Sequence, residues 1–114
     1  MRVKPLELSI RYMEIFYSGN NLEKLTDLLA ENLSFRGSLF EFDSSEDYTD
    51  SLKKDPPKGM SYEIIKSFED ENSACLIYQF SKGNISTTMA QLFEVKDERI
   101  SKINLIFDTN AFTK

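Results

Sequence analysis

Residues 84–108 read NISTTMAQLFEVKDERISKINLIFD, and this stretch decides the fold. Apolar and polar side chains alternate through two segments, and the polar turn 96–99 separates them. Alternation with a period of two is typical of strands that bury one face of a sheet, so the stretch predicts a long hairpin. In the buried phase of its first strand, Gln91 is the side chain that can both donate and accept several hydrogen bonds. We therefore expect a functional site, if the protein has one, to include Gln91.

The composition limits the classes of function. The chain has 114 residues, which is a common size for one domain, and we expect a single domain over residues 1–114. Its formal net charge is −5 and it has no run of lysine or arginine, which argues against a nucleic-acid partner. Because the sequence contains no histidine, we expect no metal site, no histidine-based catalytic triad and no other cofactor.

The N-terminus and the single cysteine bear on location. Residues 1–5 carry charge, but an amphipathic pattern follows them instead of an uninterrupted apolar stretch. We therefore expect neither a signal peptide nor a membrane span, and we expect a cytoplasmic protein. Cys75 lies in the apolar run 74–80, where a buried and inert thiol is the expected state.

The first half of the chain predicts three helices. Apolar residues at helical spacing predict a helix over residues 6–18, closed by Gly19. A capping-box pattern predicts a second, shorter helix over residues 20–30. Ser44 or Ser45 caps a third helix, which the run Asp55-Pro56-Pro57 ends.

The remaining segments predict strands. Short strands are expected at residues 33–36 and 39–42, and four longer strands follow from residue 60 onward. Lys66 interrupts the apolar phase of the first of these, which predicts a strand bulge or a lysine that reaches the rim. Runs of helices followed by runs of strands indicate an α+β domain with its helices on one face of a mostly antiparallel sheet.

With this order of elements, the chain resembles the nuclear transport factor 2-like superfamily, particularly its SnoaL-like and ketosteroid-isomerase-like branch. The features that carry the resemblance are RYM at 11–13, GNNL at 19–22, LLAENLSFRG at 28–37 and the closing strand pair up to Asp108. The resemblance covers nearly the whole chain. It implies a strongly curved sheet that wraps around three N-terminal helices as a cone, a cystatin-like α+β roll, with a pocket at the open end.

The resemblance also implies roles for particular residues. In the isomerases of this branch, a tyrosine of the first helix and a carboxylic acid on the penultimate strand hold the oxyanion, while an aspartate after the first strand moves the proton. Tyr12 matches the tyrosine, Gln91 falls where the acid would be, and Gly37 falls at or next to the base. A buried Gln91 amide needs hydrogen-bond partners, and we expect Tyr12 to be one. Because glycine cannot abstract a proton, we expect no isomerase activity by that mechanism, although two donors could still polarise a carbonyl. Whether the protein is an enzyme stays open; if it is, the resemblance implies isomerase, cyclase or dehydratase-like lyase chemistry.

Aromatic side chains are candidates for the wall of the implied pocket. The predicted ligand-binding residues are Tyr12, Phe16, Phe35, Gly37, Phe40, Phe42, Tyr48, Gln91, Phe93, Leu105 and Phe107. We expect them to surround an apolar or weakly polar small molecule. The alternative is a non-catalytic dimerisation or protein-interaction module whose cavity is filled by its own aromatic side chains.

The outer face of the predicted sheet bears on assembly. The phase opposite to the core carries Ala90, Leu92 and Ile106, and the run 74–80 places further apolar groups there. Monomers seldom expose such a patch. We therefore expect a two-fold homodimer packed through the outer face of the sheet.

Overall fold

The computed structural model describes residues 4–112 and contains two α-helices, two 3₁₀ helices and six strands. In chain order these are α1 (Pro5–Ser18), a first 3₁₀ helix (Leu22–Asp27), β1 (Leu29–Gly37), β2 (Glu41–Phe42), α2 (Ser45–Lys54), β3 (Met60–Glu69), β4 (Ser73–Lys82), β5 (Ile85–Lys96), β6 (Arg99–Ile106) and a second 3₁₀ helix (Thr109–Phe112).

The first and the third predicted helices are confirmed as α1 and α2, and so are the residues predicted to cap them. Pro5 occupies the first turn of α1, and Gly19 closes the helix with a φ of 69° and an N–H that donates to the carbonyl of Phe16. That left-handed conformation suits glycine, which has no Cβ. Ser44 caps α2, where its side chain accepts a hydrogen bond of 3.1 Å from the backbone N–H of Asp47.

The second predicted helix is present, but it is a 3₁₀ helix and it is shorter than predicted. Residues 20–30 were expected to be helical, but a 3₁₀ helix spans Leu22–Asp27 and β1 already begins at Leu29. Leu22 and Leu25 bury their side chains with a spacing of three, which suits the 3₁₀ repeat. The backbone N–H of Ile100 in β6 donates to the carbonyl of Leu28 at 2.8 Å. This segment therefore pairs with a strand near the end of the chain.

The strands form one six-stranded mixed sheet in the order β2-β1-β6-β5-β4-β3. The predicted hairpin is confirmed as β5 and β6, which pair antiparallel. β1 pairs with β6 in parallel, and every other neighbouring pair is antiparallel. The expected β2 over residues 39–42 is shorter, at Glu41–Phe42. The predicted bulge is confirmed, since the β3–β4 register shifts between Ile64 and Lys66.

The helices pack on one face of this sheet and form the core with it. Met13 of α1, Leu25 of the first 3₁₀ helix and Tyr48 of α2 are buried against inward-facing side chains of the strands. In residues 4–112, no helix is long and apolar enough to cross a membrane. The signal-peptide prediction rests partly on residues 1–3, which lie outside the described residues.

Candidate functional site

A cavity of about 500 Å³ lies between the helices and the inward face of the sheet. Most of the side chains predicted to bind a ligand line it: Tyr12, Phe16, Phe35, Phe40, Phe42, Tyr48, Gln91 and Leu105. They come from α1, β1, the β1–β2 turn, β2, α2, β5 and β6. Residues far apart in the chain thus meet around one space.

The remaining predicted residues, Gly37, Phe93 and Phe107, do not line the cavity. Phe93 is fully buried beneath it, with its ring 5.2 Å from the ring of Tyr12. Phe107 packs 5.2 Å from Phe112, and Phe112 rather than Phe107 forms part of the wall. Gly37 lies next to the wall, because a Cβ there would be 3.2 Å from the ring of Phe35 and 3.8 Å from the Cβ of Leu105, which both line the cavity.

Several lining residues were not predicted from the sequence. Among them are Tyr17, Leu52, Met60, Tyr78, Phe80, Met89 and Phe112. Tyr78 lies in a run that is apolar in both phases, so periodicity alone does not show which phase faces inward. Pairing with β5 does show it, because Leu76 faces Gln91 and Tyr78 faces Met89 across the ladder.

Polar groups of the cavity are concentrated in a tyrosine cluster, which we define as Tyr12, Tyr17, Tyr48, Tyr78 and Gln91. The hydroxyls of Tyr12 and Tyr48 form a hydrogen bond between α1 and α2. The Tyr78 hydroxyl donates to Oε1 of Gln91 at 2.8 Å. Gln91 is only 3% exposed, so the cluster lies at the inner end of the cavity.

The partner of Gln91 differs in part from the expected one. The sequence pointed to Tyr12, but Tyr78 occupies the amide oxygen. The reason is the ladder, which makes Tyr78 a diagonal neighbour of Gln91 on the same face of the sheet, within reach of an aromatic side chain. Gln91 still reaches Tyr12, where its hydrogen bond acts to lower the pKa of that hydroxyl.

Burial sets the protonation of the cluster. Loss of water raises the pKa of Tyr12 well above 10.0, and the neighbouring Tyr48 raises it further. Burial also raises the pKa of Tyr48 and of Tyr78, and it raises the pKa of Tyr17 to about 12. These hydroxyls therefore keep their protons at neutral pH and act as hydrogen-bond donors rather than as bases.

The Tyr12–Tyr48 pair has one more hydroxyl proton than its own hydrogen bond uses. Two hydroxyls carry two protons, and the hydrogen bond between them uses one. The amide oxygen of Gln91 accepts its hydrogen bond from the Tyr78 hydroxyl instead. Within the described residues, no other acceptor bonds to either hydroxyl. One O–H of the pair is therefore available to an oxygen of a ligand.

Carboxylates are poorly placed to act as a base in this cavity. Glu41 and Asp43 follow the β1–β2 turn, but Asp43 binds Nη2 of Arg36 at 2.6 Å and Glu41 lies 4.0 Å from Nε of the same arginine. Arg36 also donates to the carbonyls of Phe35 and Phe42, so it fixes the hairpin. Its closest ion-pair partner is thus Asp43.

No protein-family profile matches the chain, and no curated protein matches it. Solved structures do match. A nuclear transport factor 2-like protein of unknown function from Cytophaga hutchinsonii superposes with a TM-score of 0.84 at 21% identity, over 100% of this chain and 98% of that one. The chain has the nuclear transport factor 2-like fold. Its sheet is accordingly the curved, unclosed cone that the resemblance implied.

Other nuclear transport factor 2-like structures carry names of different activities. A candidate SnoaL-like polyketide cyclase from Jannaschia sp. CCS1 has a TM-score of 0.77 at 8% identity, over 95% of this chain and 88% of that one. A candidate ketosteroid isomerase from Kribbella flavida has a TM-score of 0.72 at 17% identity, over 90% of this chain and 78% of that one. Because one fold hosts several functions, these names assign no reaction to this chain.

Proposed function

We propose that the protein binds an apolar or weakly polar small molecule in the cavity. The observation that carries the proposal is a space of about 500 Å³ with aromatic and aliphatic walls and a tyrosine cluster at its inner end. Binding sites for small molecules commonly have volumes of roughly 300–1,000 Å³, mostly apolar walls and a few placed polar groups. The cavity meets each of these conditions.

The cluster supports a ligand that carries an acceptor oxygen. The Tyr12–Tyr48 pair has one O–H to donate, and burial raises the pKa of both hydroxyls, so the donor persists at neutral pH. A carbonyl, ether or ester oxygen at this point would accept that proton. The same contact would polarise a carbonyl, but proton abstraction also needs a base.

The lining residues supply such a base poorly. Asp55 is the carboxylate among them, and it is exposed at the end of α2 rather than buried beside the cluster. Gly37 falls at or next to the position where the resemblance implies the base. We therefore favour binding over isomerisation. The cavity volume also favours a ligand-binding protein over a module whose interior is filled by its own side chains.

A screen with matched variants tests this proposal. The ligands are a panel of small ketones, acids and aromatics, and the readout is the rise in unfolding temperature on binding. Leu105→Trp places a bulky ring in the cavity and should abolish the rise. Lys102→Trp puts the same ring on an exposed position of the same strand and should retain it. If no member of the panel shifts the wild type, or if Leu105→Trp responds as the wild type does, the proposal fails.

We also propose that two copies associate through the outer face of the sheet. Two cross-strand rows lie there: Lys66, Ile77, Ala90 and Ile106 in one, and Phe68, Cys75, Leu92 and Asn104 in the other. Ile106 is 63% exposed and Phe68 is 51% exposed. Cys75 was expected to be buried but is half-buried, because its phase faces outward. The apolar side chains in these rows support a second copy as their cover. The cytoplasmic location stays a prediction.

A further inference from the structure

We infer that the ligand is an amphiphile with an anionic head, whose apolar body fills the cavity while its head lies between Lys58 and Lys82 at the mouth. This inference rests on the proposed ligand-binding function and adds a chemical class to it. The inference rests on residues at the outer end of the cavity, whereas the proposed function rests on residues of the walls and of the inner end.

The two ends of the cavity differ in exposure and in chemistry. At the inner end, Tyr12, Tyr48 and Gln91 are at most 3% exposed. At the outer end, the lining residues Lys58 and Lys82 are exposed. A ligand that enters therefore leaves one end beside the lysines and places the other beside neutral donors.

Strand register places the two lysines at one rim. Lys82 continues the inward phase of Tyr78 and Phe80 on β4, at the point where that strand leaves the core. Its cross-strand partner is Met60, the first residue of β3, and Lys58 lies two positions before Met60. Met60 also lines the cavity. Both lysines are thus attached next to the same apolar wall.

The charges at the mouth favour an anion. The charged lining residues are Lys58, Lys82 and Asp55, which gives a net positive rim on a chain of net charge −5. In the part of the chain that the structure describes, the ion pairs are those of Arg36, and neither lysine has a carboxylate within 4.0 Å. Their charges are therefore not neutralised by a direct partner and can attract the head of a ligand.

Both ends together define the ligand class. The apolar body gains from leaving water, and the anionic head stays at the exposed rim, where it keeps much of its hydration. A head carried into the closed end instead would lose that hydration among neutral hydroxyls. A medium-chain or polycyclic carboxylate fits this arrangement, and so does an alkyl phosphate.

Probes with one tail and different heads test the inference. We would titrate the protein with decanoate, decanamide and decylammonium and follow binding by calorimetry. Decanoate should bind about fivefold more tightly than decanamide, because exposed charge pairs contribute up to about 1 kcal/mol, which is about fivefold in affinity. Decylammonium should bind most weakly. Decyl phosphate in the same assay tells which head the rim prefers, and its binding above decanamide also supports the inference.

Charge variants at the rim give the matched comparison. Lys58→Gln and Lys82→Gln should each weaken decanoate binding by about twofold, and the double variant by about fivefold, which is the whole preference for decanoate over decanamide. Asp55→Asn should strengthen it. Lys102→Gln removes an exposed lysine from the opposite face and should leave affinity unchanged. Raising ionic strength from about 0.01 to about 1 M shortens the Debye length from about 30 to about 3 Å, so the preference for decanoate should shrink.

The outcomes separate this inference from the proposed function. If decanamide binds as tightly as decanoate, and the rim variants behave like Lys102→Gln, the anionic head is ruled out while the apolar cavity site stands. If neither decanoate nor decanamide binds while members of the wider panel do, this inference falls and the proposed function stands. If the wider panel fails too, the proposed function falls with it. All substitutions are at exposed positions, and circular dichroism checks that each variant keeps its fold.

Discussion

Gln91 is the polar residue of β5 that faces the cavity, and its amide is satisfied without water. Its oxygen accepts from Tyr78, and it also reaches the hydroxyl of Tyr12. No buried side-chain nitrogen or oxygen lacks a partner in residues 4–112. Two roles are compatible with such an amide: a core hydrogen bond that stabilises the fold, or a wall of the cavity that positions a ligand.

Gln91→Leu and Tyr12→Phe distinguish these roles. We expect each change to alter the free energy of unfolding by less than about 1 kcal/mol, because water in the cavity can replace the lost group. We expect ligand affinity to fall by about two- to tenfold, the value of one hydrogen bond. Thermal melts and titrations of both single variants and the double variant measure the two effects.

A core role would give the opposite pattern. An unsatisfied buried donor costs about 1–3 kcal/mol, so each single variant would lose more than about 2 kcal/mol. The double variant would then be strongly non-additive, since both residues belong to one network. That result would end the claim that Gln91 marks a site.

At the scale of elements, sequence patterns predicted what depends on neighbouring residues. Period-two alternation gave the β5–β6 hairpin, and helical spacing with Gly19 and Ser44 gave α1 and α2 with their ends. The helix predicted over residues 20–30 is shorter in the structure because β1 begins at Leu29 and pairs in parallel with β6. The residues of β6 that pair with β1 are about 70 positions further along the chain. Tertiary pairing overrides a local helical preference.

The residues of the candidate site were likewise predicted only where a local pattern or the resemblance identified them. Gln91 was found because it is polar in a buried phase, and Tyr12 because it resembles a known residue. Tyr78 was missed because the run 74–80 is apolar in both phases, and only its register with β5 shows the inward one. The contact between Tyr12 and Tyr48 depends on how α2 packs, which periodicity does not contain.

The last residue of β1, Gly37, bears on catalysis because it has no carboxylate that could act as a base. We expect no appreciable isomerisation of a β,γ-unsaturated ketosteroid by the wild type, because no carboxylate stands at this position. Gly37→Asp would start a side chain between the ring of Phe35 and the Cβ of Leu105, which both line the cavity, after a shift of a few tenths of an ångström. This variant should gain measurable activity in an absorbance assay. Clear turnover by the wild type would contradict the account, and Asp43 and Glu41 would be the first residues to mutate.

At the scale of the whole molecule, the tyrosines link folding to pH. Burial raises the pKa of all five tyrosines above 10.0, that of Tyr17 to about 12. The folded state therefore keeps protons that the unfolded chain has lost above pH 10. Stability is fully present below about pH 10 and is lost as pH rises toward the folded values, by up to about 1.4 kcal/mol per pH unit for each of the buried residues Tyr12, Tyr48 and Tyr78.

Urea unfolding at about pH 9 and about pH 11 measures this loss, with tyrosinate absorbance recorded on the folded protein. We expect a marked fall in the free energy of unfolding and little tyrosinate while the protein stays folded. Tyrosines that titrate near pH 10 in the folded state, with no loss of stability, would show that the cluster is open to solvent.

Assembly is also a property of the whole molecule. We expect sedimentation to show a dimer at micromolar concentration. Leu92→Glu places a charge in the middle of the outer face and should weaken the dimer more than it perturbs the fold. Leu39→Glu is the control, since Leu39 is another exposed leucine but lies in the β1–β2 turn, off the sheet. A wild-type monomer would contradict the proposal.

In the proposed complex, a small molecule occupies the space inside the cone. Intermolecular nuclear Overhauser effects between 2-acetylnaphthalene and the protein's methyl groups test it most directly. Leu105 lines the cavity, while its neighbour Ile106 is exposed on the outer face, so the pair provides an internal control. We predict effects to the methyls of Met89 and Leu105 and none to those of Ile106. Effects to Ile106 alone, or none to the cavity methyls at saturating ligand, would contradict the account.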